Sequence, residues 1–494
     1  MANIASTSSS TSSLYSNRLS GLASGMDTET MVKDLVNAQR KASVDPFSKL
    51  KQQLEWKREG YRATNTKLMA LRTAALDMKM KTTFMAKKVD SADSTVLTAT
   101  AKAEALAGTY SIEVTQMAEG VTKEGTPVTA SWPYSGEDKS FKLKGKNDVE
   151  ATFYVSDGNS ISDVVSKINA KSSETGIKAT YDSGTNKFYL MTSDTGEAAK
   201  IEMTDTNSVL SGMLGIADTS TQQGKNAKIK FMGGSEISFS SNNFTFNNIN
   251  FSLKKMGTTN VTVSNDVDAT VTKIKAFVEA YNTAIDDISG KLSEDRDRDY
   301  EPLTDAQKEE MSDSEIEKWE AKAKSGMLRG DNLLNSVYSN IRMTASNIVS
   351  GLSGKYKTLS SVGITTGDYS EKGKLHIDEE DLRAALADDP EGVMNMFTKT
   401  SDTKSEKGIA VQLYENLNSA IKNINSSAGS DDVSYDQSAL GEQINDLTEE
   451  IETAEDKLSD MQERWWSQFS LMEQYIQQMN QQCSWLQAQL GGSS

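Results

Sequence analysis

The chain has 494 residues, enough for three or four domains, and a formal net charge of −17. That acidity argues against nucleic acid or an anionic membrane as its main partner, and no run approaches the ~18 apolar residues of a membrane span. Its single cysteine excludes both a disulfide framework within one chain and a multi-cysteine zinc site, and a 36% hydrophobic content suits thin cores in an elongated molecule. Residues 1–17 are rich in Ser and Thr and are expected to be disordered when the chain is alone. They lack the apolar core of a cleaved secretory signal, so on composition alone the chain reads as cytoplasmic. A helix is predicted from Thr28 to about Arg40, with Met31, Val32, Leu35 and Val36 on one face. Pro46 interrupts it, and a longer helix follows with Phe47, Leu50, Leu54, Tyr61, Leu68, Leu71, Ala75 and Met78 in near-heptad spacing. Lys57 and Thr64 are its polar exceptions.

From about 91 to 263 the dominant period becomes two, as in half-buried strands. Tyr110, Ile112 and Val114 alternate with polar residues, and later pairs such as Ile229/Phe231, Phe244/Phe246 and Val261/Val263 are separated by turn signals. One short helix is predicted inside this region, capped by Ser160 and carrying Ile161, Val164, Val165 and Ile168. Strands are predicted beside it at 151–155, 177–181 and 187–191. Helical spacing returns at Val267, Val271, Ile274, Val278, Tyr281, Ile285 and Ile288, a stripe expected to face the 50–78 helix. Residues 294–324 are densely charged in both signs and read as a solvated helical segment. Further helices are predicted at 331–350, 378–388 and 409–424, then a loop at 425–438.

The strongest periodic signal is the last. Leu440, Ile444, Leu447, Ile451, Ala454, Leu458, Met461 and Trp465 alternate four and three apart, and the seam resumes at Met472, Tyr475, Met479, Leu486 and Leu490. Such a narrow stripe needs a partner helix. Trp465 fits the stripe, with Trp466 and Phe469 beside it, and Cys483 is expected to pack as a small apolar residue. The aromatic cluster reads either as a wider core face or as a contact between subunits. The order helix, β-rich middle, helix predicts an α+β multidomain protein in which β-rich domains are inserted into a helical stalk made from both chain ends.

The sequence offers little for catalysis. His376 is the only histidine and reads as a surface strand residue before the Asp378 cap. Asp295, Asp297 and Asp299 imitate the opening of a calcium loop, but Tyr300 stands where that loop needs Gly and Ala306 where it needs Glu. Gly351-Leu352-Ser353-Gly354 is one residue short of a nucleophile elbow.

Several segments resemble one family. The run from Arg18 through Leu22, Met26 and Asp27 to Val32, and the run containing Leu54, Trp56, Tyr61, Arg62, Asn65 and Leu68, are similar to the N-terminal part of flagellar hook-associated protein 2. Val362-Gly363-Ile364, the Gly373–Asp378 segment and the closing Phe469, Met472, Glu473, Ile476, Met479, Asn480, Gln481, Gln482 and Leu486 resemble its C-terminal part. Residues 148–203 are similar to the small motif inserted in flagellins. The resemblance implies a filament cap that is not an enzyme and needs no cofactor or metal. It implies a ring-shaped homo-oligomer of five that helps exported flagellin fold and insert beneath it. It also moves the expected location to the outside of the cell, with export through the flagellar type III channel on an uncleaved N-terminus. Flagellin, the hook–filament junction protein and an export chaperone are the implied partners. A junction protein, or an adhesin presenting its β domains to mucin or surfaces, is the alternative. The implied domains are 1–45 with 450–494, a terminal coiled coil disordered when alone; 46–90 with 265–449, a stalk; 91–130 with 225–264, β-rich; and 131–224, outer and β-rich. The assembly contacts expected are Leu22, Met26, Met31, Leu35, Trp465, Trp466, Phe469, Met472, Tyr475, Met479 and Leu486.

Overall fold

In the computed structural model, residues 24–430 and 436–490 are described, and they form an α+β multidomain protein. Two compact units divide the chain: residues 1–80 with 273–494, and residues 81–272. Leu22 and residues 1–17 lie outside the described residues.

The first unit is built around a central helix, Asp45–Lys79. Pro46 falls in its first turn, where a missing N–H costs nothing, so the break from the first helix, Thr28–Ser43, is a single residue, Val44. Three helices run antiparallel to the central one. The helix Val267–Ser293 contacts it through Lys273 and Asp77 (2.8 Å) and through Thr64, whose hydroxyl donates to Asp287 Oδ2 (2.6 Å). Lys291 Nζ closes that cluster, donating to Asp287 Oδ2 (2.9 Å), Thr64 Oγ1 (2.8 Å) and the Gly60 carbonyl (3.1 Å). Thr64, a polar exception in the predicted stripe, is thus a buried group with its partners supplied. A Cβ at Gly60 would stand 2.7 Å from Leu328 Cδ1, so a larger residue here would need that leucine to shift.

The helix Ile409–Ala428 packs along the central helix, with Asn65 Nδ2 donating to Asn425 Oδ1 (2.8 Å), Arg62 Nε to the Ala428 carbonyl (2.8 Å), and Lys79 lying over the Tyr414 ring. The terminal helix, Ala439–Leu490, is third, and Asp436 just before it meets Arg62 (2.8 Å) and Arg58 (3.5 Å). Val278 and Tyr281 are both buried, but the Tyr281 hydroxyl donates to the Gly373 carbonyl (3.3 Å), so this residue turns toward the 366–374 turn. The 294–324 segment holds two short helices, Asp305–Glu309 and Asp313–Lys324, each opened by a capping box. A helix at Pro390–Thr398 was not predicted; Asp389 caps it and Pro390 occupies its first turn.

The second unit holds two β cores. In one, a five-stranded antiparallel sheet orders the strands Lys87–Ser91, Gly257–Asn265, Gly108–Gln116, Ala227–Phe231 and Glu236–Phe239. A three-stranded sheet, Asn243–Phe246, Ile249–Leu253 and Leu97–Ala101, shares its core of Leu97, Ile112, Ile229, Phe251 and Val261. The alternation read from Tyr110 to Val114 follows from this one-sided burial. The other core gathers Phe141, Leu143, Phe153, Ile168, Phe188, Leu190 and Leu214 between a four-stranded and a three-stranded sheet and the helix Ile161–Ala170. Ser160 caps that helix in a box with Asp163, as expected: Asp163 N donates to Ser160 Oγ (3.2 Å) and Ser160 N to Asp163 Oδ2 (2.8 Å). The expected boundary at 130 falls earlier. Strand Thr122–Pro127 pairs with Lys187–Thr192, and Val121 and Val128 belong to the second core, because their apolar faces are covered there.

Candidate assembly interface

The two chain ends meet along one antiparallel helix pair. Arg40 and Glu455 form an ion pair (2.6 Å) near one end of the first helix, and near the other Ser24 bonds to Glu473 through both its backbone N–H (3.3 Å) and its hydroxyl. Asp27 caps the first helix, accepting from Thr30 N (3.0 Å) and from the Thr30 hydroxyl (2.6 Å). Those bonds, the hydroxyl's foremost, hold its carboxyl below the usual range. Val32 and Thr28 are buried. Within 1–45 and 450–494, the ends expected to be disordered when alone, the described residues hold the helix Thr28–Ser43 and the later part of Ala439–Leu490, each covering part of the other's stripe.

The predicted contact residues separate into two sets. Trp466 is buried, while Trp465, Phe469 and Met472 are half-buried. The assignment of Trp465 to the stripe and Trp466 to its flank is reversed in burial. Leu440, Ile444 and Leu447 are the buried stripe residues where the helix lies on the central helix. Farther along its partner is the first helix, and the covered face rotates to Trp466 and Glu473. A straight α-helix drifts against a seven-residue repeat, so the rotation needs no kink. Glu473, only 3% exposed, was missed as a packed residue because a carboxylate does not count in an apolar pattern.

The second set faces outward. Met26 just before the first helix and Met31 and Leu35 on it are exposed, as are Tyr475 (62%), Met479 (63%) and Leu486 (49%) on the terminal one. Leu471 and Trp485 join them. Cys483 is also exposed, contrary to the expectation that it packs: no described helix reaches that side of the terminal helix. Exposed apolar side chains in such number make this face a candidate contact surface.

Among the described residues no competing chemical site emerges. His376 is exposed on the strand Leu375–Ile377, as expected, and its Nε2 meets Glu371. Asp378 caps the next helix, accepting from Glu380 N (3.0 Å) and Asp381 N (3.1 Å). Asp295 pairs with Arg329, and among the described residues no group of three His, Cys, Asp or Glu side chains is placed to hold a metal.

Comparison with known proteins places this geometry. Residues 224–481 match the family described as flagellar hook-associated protein 2 C-terminus, and residues 24–120 match its N-terminus. The chain is 30% identical to flagellar hook-associated protein 2 of Halalkalibacterium halodurans, over 95% of this chain and 99% of that protein. The chain belongs to the flagellar hook-associated protein 2 family. Residues 140–194 match the flagellin hook IN motif, within the second β core. The Escherichia coli K12 member is 27% identical over 96% of this chain and 98% of its own length. Among solved structures, the D1-D2-D3 domains of the flagellar cap protein FliD from Escherichia coli share the fold, with a TM-score of 0.56 and 24% identity over 73% of this chain and 96% of that one.

Proposed function

We propose that copies of this chain form the cap at the distal tip of a bacterial flagellar filament, where they promote folding and insertion of exported flagellin and prevent its loss. Family membership carries this reading, and the Escherichia coli neighbour is itself described as a flagellar cap protein. The cap is a ring of copies, five in number, outside the cell. Its subunits travel there through the flagellar type III channel without a cleaved signal peptide, escorted by an export chaperone, and meet the junction protein before filament growth begins. The protein acts by structure and contact and is not an enzyme.

The exposed set on the paired ends is the seating surface: Met26, Met31 and Leu35 at the N-terminal end, Tyr475, Met479 and Leu486 on the terminal helix. Buried in the assembly, each such side chain contributes about 1.5–3 kcal/mol, so a subunit is held by a few of them acting together. The two β cores form the plate, and the helical parts form its legs. Electron microscopy of the purified chain tests this. Annular plates with legs are expected; uniform monomers at micromolar concentration, or plates unaffected by Met479→Asp combined with Leu486→Asp, would count against the seating surface or the cap.

A further inference from the structure

The first β core is a sandwich with one open side. Its five-stranded sheet ends in the strand Glu236–Phe239 and its three-stranded sheet in Asn243–Phe246, and among the described residues no strand lies beyond either. The Phe239 and Phe244 rings stack across these two edges (3.7 Å between centroids), and Phe246 meets Phe231 beside them (5.2 Å). All four rings are half-buried. Among the described residues, Glu236–Phe239 makes no backbone hydrogen bond beyond its pairing with Ala227–Phe231. The second core treats its edges differently. There the Asn169 side chain bonds both the carbonyl (3.0 Å) and the N–H (2.8 Å) of Ala179, and Lys167 donates to the Tyr154 carbonyl (2.9 Å), which closes those edge strands to further pairing at these points.

A methionine in an unfavourable backbone sits at the mouth of the open side. Met232 and Gly233 make the turn before Glu236–Phe239 with φ of 54° and 71°, closed by Gly234 N–H donating to the Phe231 carbonyl (3.0 Å). The next hairpin makes the same pair of left-handed residues with Asn247 and Asn248, a residue type that tolerates them. Met232 is the only apolar side chain among the described non-glycine residues with positive φ, and it is 58% exposed. Its Sδ accepts from Ser111 N (3.3 Å), which holds it beside Tyr110. The Tyr110 ring lies 5.3 Å from that of Phe231, and its hydroxyl donates to the carbonyl of Leu106 (2.8 Å), a leucine 78% exposed. A turn selected for stability alone would carry Asn or Gly in place of Met232.

We infer that this open side holds an extended, uncharged segment of a chain that has not yet folded, added as a strand along Glu236–Phe239 with its apolar side chains on the half-buried rings, Met232 and Leu106. The inference rests on the proposed role in flagellin folding and names the surface that receives the emerging chain. Glu236 is the only charged residue between Phe231 and Leu253, in a chain whose net charge is −17, so this side selects by apolar surface and backbone and not by charge. A flexible thioether and several half-covered rings accept varied side chains, as a site for unfolded segments requires. A folded second copy fits less well. The free edge at the other side of the same sheet, Lys87–Ser91, would bring Lys87, Lys88 and Asp90 against the rings. Two copies of Glu236–Phe239 laid edge to edge make a two-fold contact, which closes a pair and not a ring.

The test uses the full-length chain and a short fluorescein-labelled peptide of alternating valine and threonine, followed by fluorescence anisotropy. Saturable binding is expected, and a peptide of the same sequence with N-methylated backbone should bind about tenfold more weakly or worse, because strand addition uses the peptide N–H groups. Met232→Asn should weaken binding by about tenfold or more while its thermal unfolding midpoint stays level or rises, since Asn suits the left-handed turn. Equal binding by Met232→Asn and the wild-type chain, or by the methylated and parent peptides, overturns the site. A lowered midpoint together with lost binding makes Met232 a structural residue and overturns it as well. Amide hydrogen exchange over residues 236–246 should slow when acid-unfolded flagellin is added; slowing that follows the concentration of the chain alone assigns the surface to a second copy and overturns the occupant. In cells that lack their own copy, the Met232→Asn chain should reach the filament tips yet let flagellin escape as monomers. Tip label with normal filaments sinks only this inference, and absence of the wild-type chain from the tips sinks the proposed function beneath it.

Discussion

Replacing Trp466 by Ala should detach the first helix from the terminal one while leaving both β cores folded. The Arg40–Glu455 and Ser24–Glu473 contacts fix the register of this pair and bring Trp466 level with the buried Thr28 and Val32. Trp466 is among the few fully covered large side chains on this half of the terminal helix, so its loss opens a cavity in a thin, two-helix contact. Truncating a buried indole costs about 3–5 kcal/mol, and little else resists opening here: the Arg40–Glu455 pair is more than a third exposed and worth under about 1 kcal/mol. Amide hydrogen exchange over residues 28–43 should accelerate about a hundredfold or more, because those amides exchange through local opening. Far-ultraviolet circular dichroism should fall only modestly, and protection in residues 97–116 should not change. Trp465→Ala, at a half-buried position, should accelerate exchange by about tenfold at most. A larger effect from Trp465 than from Trp466 would refute the rotated face and restore the unbroken heptad stripe.

Three further outcomes follow from the geometry. Burial raises the Asp436 pKa, but Ser438's hydrogen bonds and the Arg62 and Arg58 charges outweigh it, and the net shift is downward. Its contribution is therefore complete above the ordinary unfolded value of about 3.9 and is lost as pH falls through the lower folded value, so Asp436→Asn should flatten acid unfolding of the helical unit below about pH 4. Lys123 is 3% exposed and donates to Asp218 Oδ2 (2.8 Å), the Asp218 carbonyl (2.9 Å) and the Ser220 carbonyl (2.8 Å). Lys123→Ala should destabilise the second β core by about 2–3 kcal/mol in urea titrations of residues 81–272, and an unchanged midpoint would show that the 217–221 segment is held otherwise. Val278→Asp should cost about 3 kcal/mol or more by burying a carboxylate, whereas Tyr281→Phe, which loses one long bond to Gly373, should cost about 1 kcal/mol in thermal unfolding.

Elements with one wet face and one dry face were legible in the sequence, because their burial imprints a period. The central helix, the strand through Ile112 and Val114, and the Ser160-capped helix are of this kind. Strand Lys139–Lys144 carries the same imprint, with Phe141 and Leu143 alternating with polar residues. Strand Thr122–Pro127 was hidden by Gly125 and by a buried lysine, whose charge is satisfied by a carboxylate and two carbonyls distant in sequence. Polar residues inside packed faces were the general blind spot. Thr64, Lys123 and Glu473 are all buried through partners that only the fold supplies. At the candidate interface the outward residues Met31, Tyr475, Met479 and Leu486 were legible as apolar residues in a helical pattern. The change of partner helix along Ala439–Leu490 was not, since periodicity reports that a stripe is covered and does not report by what.

The central claim is a position at the filament tip. In cells that lack their own copy and shed flagellin as monomers, this chain carrying an epitope tag in the exposed 183–186 turn should restore filament growth. Immunogold electron microscopy should then place the label at the distal ends of the filaments. Label at the boundary between hook and filament, or filaments that grow to full length without the chain, would contradict the account.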